Sequence, residues 1–185
     1  MVNTVEIKGV VLEHDAEQKT VSLKVGDLSG FSVKVHEGMN WLEKIIHFFC
    51  PCYRPKVTRF EELGVEVRTR RLEGKVRRIL KRNMRSTNRA PLSMQDRVIL
   101  GAKCLVAEKR LKRLDRLAKE ISKRTFSSLK PHIEGDIQEL AAFSRLDLGL
   151  ERKLNDRIGR AIEKAKASLK ENNPLTNEIN ERTNV

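Results

Sequence analysis

The chain has 185 residues, a formal net charge of +13, 39% hydrophobic and 34% charged residues, and only 4% aromatics. This hydrophobic content excludes a fully disordered chain, and the length suits one domain or a small domain with an extension, burying roughly two-thirds of its unfolded surface. The charge is concentrated. Residues 1–53 hold five basic and seven acidic side chains, residues 54–130 hold 24 and eight, and residues 131–185 hold nine and ten. A net +16 in the middle segment makes a field that attracts polyanions.

Three cysteines, Cys50, Cys52 and Cys104, are an odd number, and the first two are too close in sequence for an ordinary bridge. Free thiols in the cytoplasm or another reducing compartment are expected, rather than a disulfide framework. The start, MVNTVEIKGV, lacks the basic-then-apolar pattern of a secretory signal. The apolar stretch Trp41 to Phe49, broken by Glu43 and Lys44, falls far short of the ~20 residues of a spanning helix.

In chain order, residues 4–35 alternate at period two: Val5 and Ile7, then Val21, Leu23 and Val25, then Phe31, Val33 and Val35. With polar turns at Asp15–Lys19 and Gly26–Gly30, this predicts a three-stranded antiparallel β-meander with one apolar face. Trp41, Leu42, Ile45, Ile46 and Phe49 recur at helical spacing, so a short amphipathic helix should close residues 1–53 and serve as the lid a small sheet needs. Cys50-Pro-Cys-Tyr-Arg-Pro55 reads as a rigid link.

Residues 54–91 form an Arg-rich amphipathic region. The pattern is helical from about Glu61, with a strand at Val65–Val67 as the weaker alternative. Leu72, Val76, Ile79 and Leu80 make its apolar stripe. A capping box, Ser93-Met-Gln-Asp96, opens the next helix. Its apolar positions Leu100, Cys104, Ala107, Leu111, Leu114, Ala118 and Ile121 step by four and three, the period of a coiled-coil seam. Ile137, Leu140, Phe143, Leu150, Leu154, Ile158, Ala161, Ile162, Ala165 and Leu169 supply a matching face, with Pro131–Gly135 as the turn and Gly149 as a kink or division. Residues 92–170 therefore read as a helical hairpin, with the preceding helix packed beside it. Residues 171–185 read as a disordered tail. The fold class is α+β: a small β-meander with a short helix, then a mostly helical basic body.

Residues 68–89 carry ten basic side chains against one acid, Glu73. Arg71, Lys75, Arg78, Arg82, Arg85 and Arg89 fall on one arc; Arg70, Arg77 and Lys81 flank it, and Arg68 precedes them. Like charges at helical i, i+3 and i+4 spacing repel by a few tenths of a kcal/mol each, and an anion on that face removes the cost. Arginine matches phosphate with a two-pronged fork. Lys109, Arg110, Lys112, Arg113 and Arg116 extend the basic surface. The only aromatics between residues 54 and 130 are Phe60 and Phe126, neither within the basic run. Base stacking is not expected; contact with a phosphate backbone, low in sequence specificity, is. Nucleic acid is the leading partner.

Two other partners compete. An anionic membrane surface would use the same charges, with Trp41, Phe48 and Phe49 inserting and Cys50 and Cys52 open to acylation. A protein partner or a second copy would use the heptad face of residues 100–121. His47, Cys50 and Cys52, with His36 as a fourth ligand, are a weak zinc constellation, their spacing tighter than structural sites use. Thr183-Asn184-Val185 matches a loose carboxylate-capture pattern. No nucleophile, metalloprotease or nucleotide-binding motif occurs. The expectation is a non-enzymatic protein without a cofactor.

Overall fold

The structure, a computed structural model, describes residues 1–83, 92–122, 124–145 and 152–173. They fall into two compact units. The first holds strands β1 (Val2–Ile7), β2 (Val10–Asp15), β3 (Thr20–Val25), β4 (Leu28–Lys34), β5 (Val57–Phe60) and β6 (Val65–Arg68). It also holds helix α1 (Trp41–Phe49), helix α2 (Arg70–Asn83) as far as Arg82, and helix α3 (Met94–Glu120) as far as Val106. The second holds Asn83, the rest of α3, α4 (Phe126–Arg145) and α5 (Arg152–Glu171). The α+β expectation holds.

The meander has four antiparallel strands in the order β1–β2–β3–β4, one more than the alternation predicts. The extra strand comes from a two-residue turn at Lys8-Gly9. Both residues have left-handed backbone, φ 51° and 72°, and Ile7 directly opposes Val10. That is the geometry whose twist suits a two-residue hairpin. Leu12, Leu23 and Phe31 stand side by side across β2, β3 and β4. With Val10, Val21 and Val33 they form the buried face, while Glu13, Ser22 and Lys34 face away.

Residues 61–68 are a correction. Glu61–Leu63 make one turn of 3-10 helix ending at Gly64, whose φ is 64°, and Val65–Arg68 pair with β5. Helix begins only at Arg70. The apolar residues here alternate, and Phe60 and Val67 are fully buried as strand residues. A bridge between Val35 and Val67 and the bond from the His36 N–H to the Glu66 carbonyl, 2.6 Å, tie this hairpin to the meander.

The lid expectation is also corrected. None of the nine residues of α1 is buried. The sheet is covered from α3: a Cβ on Gly30 of β4 would stand 2.9 Å from the Cβ of Ala102. One on Gly101 would meet Val76 of α2 at 3.2 Å and the Phe31 ring at 3.4 Å. Backbone approaches this close exclude larger side chains. Gly30→Val should destabilise the chain by about 1–3 kcal/mol, the usual cost of overpacking, read from the urea midpoint.

Lys103, on the same stretch of α3, is only 1% exposed, and no described residue accepts a hydrogen bond from it. Burial, reinforced by the charge of Lys8, pulls its pKa below the ordinary 10.5. The folded state therefore binds fewer protons than the unfolded one between these two values, and stability rises with pH across that window. The cost of holding the buried ammonium is fully present below the lowered pKa. Lys103→Met should stabilise the protein by about 1–3 kcal/mol and flatten the rise in stability as pH climbs towards 10.5, both measurable by urea titration.

In the second unit α4 packs on α5, and polar ties join both to α3. Leu111, Leu114, Ala118 and Ile121 are buried with Ile133, Leu140, Phe143, Leu154, Ile158 and Ala165. Every residue of the predicted heptad stripe is buried within the chain. Val98, Ile99, Ala102 and Val106 are buried as well, so the first half of α3 is a core helix enclosed on several sides rather than a two-helix seam.

The predicted turn at Pro131–Gly135 is a third correction: α4 runs through both residues. The chain turns earlier, where the Ser122 N–H donates to Thr125 Oγ1 at 2.9 Å and the Thr125 carbonyl accepts from the Leu129 N–H at 3.0 Å. Pro131 lies in the second turn of α4, where the helix forgoes the bond to the Ser127 carbonyl that an N–H would make. Leu150, Gly149 and the terminal Thr183–Val185 lie outside the described residues, as does the predicted tail beyond Asn173.

Candidate phosphate-binding surface

Helix α2 starts where Thr69 closes off β6. The Thr69 N–H and hydroxyl both bond the Lys56 carbonyl, at 3.0 and 3.2 Å, and its own carbonyl accepts the first helical bond from Glu73. Leu72, Val76 and Ile79 are buried on one side. The opposite side follows from 100° per residue: Arg70, Lys75, Arg77, Arg78, Lys81 and Arg82 occupy an arc of roughly 160°, and all six are exposed. The apolar side anchors the helix, so these cations project from a fixed backbone.

Glu73 is the only acid in α2. It is held by Arg77 at 3.2 Å and by Lys56 at 3.5 Å. Arg78 donates to the Gly74 carbonyl of its own helix at 3.2 Å. Arg70, Lys75 and Lys81 make no hydrogen bond or ion pair with any described residue. Arg71 lies in α2, and Arg85 and Arg89 lie outside the described residues.

Arg68 has a different place. Its guanidinium bonds the Glu43 carboxylate of α1 and, at 2.7 Å, the Gly38 carbonyl. That contact, with the Asn40 N–H, holds the Glu43 carboxyl below the usual carboxylate range. The stabilisation is present above the ordinary carboxylate pKa and is lost as pH falls through the lowered value. Asn40 and Glu43 close a capping box, each side chain meeting the other's backbone N–H at 2.9 Å.

The secondary basic surface is divided. Lys109, Lys112 and Arg116 are exposed, and Arg116 lies 3.8 Å from Glu120. Arg110 is turned inward, 8% exposed, onto Asp136 at 2.8 Å and Glu139 at 2.6 Å. Arg113 approaches the second oxygen of Asp136 at 3.3 Å. Its spacing placed Arg110 with the exposed cations; the acid on α4 that draws it inward is distant in sequence.

Around α1, Trp41, Phe48 and Phe49 are 68%, 80% and 79% exposed, and Leu42, Ile45 and Ile46 are exposed beside them. The Cys50 and Cys52 thiols are exposed, their sulfurs 2.8 Å apart, while Cys104 is buried. The His47 Nδ1 meets the Tyr53 carbonyl at 3.2 Å. Among the described residues no three His, Cys, Asp or Glu side chains are grouped to hold a metal ion, and no helix is long and apolar enough to cross a membrane.

The described chain is thus an α+β protein with a fixed cationic helix face and a bare apolar helix. No family model, curated protein or solved structure matches it.

Proposed function

We propose that this is a non-enzymatic binding protein that grips phosphate-bearing polyanions through the exposed face of α2, with little sequence specificity. The observation that carries the reading is the arc of six exposed cations, backed by buried Leu72, Val76 and Ile79, with a single acid in the helix. Such an arc offers several phosphates simultaneous contact without ordering new backbone, and most of its members are arginines able to fork onto phosphate oxygens. Phe60 and Phe126, the aromatics of the basic segment, are buried, which argues against base stacking. A nucleic-acid duplex is the partner for which α2 suffices by itself.

The test is salt dependence. With duplex DNA, log K should fall linearly with log salt at about −0.9 per phosphate neutralised, so engagement of the whole arc gives a slope near −5. No binding at ~50 mM salt, or a complex indifferent to salt, would refute the reading.

A further inference from the structure

Helix α1 is amphipathic the wrong way round for a soluble surface helix. At 100° per residue, Trp41, Leu42, Ile45, Ile46, Phe48 and Phe49 share an arc of roughly 160°. Its polar edge is the side tied to the protein: Glu43 bonds Arg68, and His47 meets the Tyr53 carbonyl. The apolar arc is the side left bare, and no residue of it is buried. A helix held by its polar side and open on its apolar side marks a surface that meets another phase or another chain.

Charge decides between them. Within residues 38–60, Lys44, Arg54, Lys56 and Arg59 stand against Glu43 alone, and Glu43 is already paired with Arg68. Lys44, Arg54 and Arg59 are exposed, Lys44 at the border of the apolar arc. The unpaired cations of α2 belong to the same compact unit. An apolar arc bordered by Lys44, in a unit whose other exposed cations outnumber the acids near α1, complements an anionic leaflet, where aromatic and aliphatic side chains enter below the headgroups and lysine and arginine meet the phosphates.

We infer that α1 inserts along the interface of an anionic phospholipid bilayer, with the cations of the first unit gripping the headgroups. The electrostatic half rests on the phosphate-gripping reading of α2; the apolar half stands on α1 alone.

The experiment uses the full chain with vesicles of phosphatidylcholine alone or with a third phosphatidylserine. The protein should float with the anionic vesicles and bind neutral ones at least tenfold more weakly. Trp41 is the chain's only tryptophan, so its emission reports α1 and should move to the blue on anionic vesicles. Phe48→Ser with Phe49→Ser should lower vesicle affinity about a hundredfold or more. Both side chains are largely exposed, so thermal stability and duplex affinity should not change. An unshifted Trp41, or serine variants that bind vesicles as well as the wild type, overturns the insertion. If duplex binding persists in that case, the function proposed for α2 survives alone; if it is also absent, both fall. A wild-type dimer that the two serines convert to monomer, without vesicle binding, overturns the insertion in favour of self-association.

Discussion

Asp136→Ala should destabilise the helical unit by about 3–5 kcal/mol, the largest stability effect expected of a single change in this chain. Asp136 is 1% exposed and sits on α4 against Arg110 of α3, itself 8% exposed. It is also the carboxylate nearest the Arg113 Nε. Removing it leaves the Arg110 guanidinium out of water with only Glu139 as a partner, and Glu139 is half exposed and free to move. The geometry makes the pair costly even when intact: among the described residues the Arg110 Nε has no acceptor, and no donor is aligned on the second Asp136 oxygen. Replacing the pair together, Arg110→Met with Asp136→Leu, should therefore be near neutral or stabilising, because apolar side chains of similar volume need no partners. Urea unfolding of the two variants and the wild type checks both outcomes. A loss below 1 kcal/mol for Asp136→Ala would show that water reaches Arg110.

Charge reversal on α2 should have the largest functional effect. Lys75→Glu, Arg78→Glu and Lys81→Glu change three exposed side chains of one arc. Duplex affinity near 0.1 M salt should fall on the order of a thousandfold, and the salt slope should flatten by about three, one per lost phosphate contact. Binding to anionic vesicles should weaken in parallel if the same face meets the headgroups. Stability should stay within about 0.5 kcal/mol, since exposed substitutions away from caps and cores cost little and reversal removes like-charge repulsion along the helix. Unchanged affinity would move the polyanion site away from α2, for instance to the exposed Lys109, Lys112 and Arg116 of α3.

Much of the helical architecture was legible because helical burial is periodic. Helical spacing puts Leu72, Val76 and Ile79 on one stripe, and all three are buried. The capping-box pattern marks Ser93 as a cap, and its Oγ accepts from the Asp96 N–H at 3.0 Å. The heptad positions of α3 are buried throughout. Short elements were harder. The Lys8-Gly9 hairpin has one glycine and no asparagine to announce a left-handed pair, and residues 61–68 are too few for alternation to stand out from helical spacing. Proline disfavours a helix interior, which predicts a turn at Pro131, yet α4 carries it in its second turn.

The candidate surfaces divide along the same line. Which side chains share a face of α2 and of α1 follows from helical pitch and residue order alone. Which of those faces meets solvent depends on long-range packing. Ala102 of α3, far from β4 in sequence, fits against Gly30 closely enough to exclude any other cover at that point. Arg68 then ties α1 by its polar edge. One helix is therefore left with its cations outward and the other with its apolar side outward. Periodicity names a buried face only when a partner exists to bury it, and that partner is chosen by packing between residues the chain holds far apart.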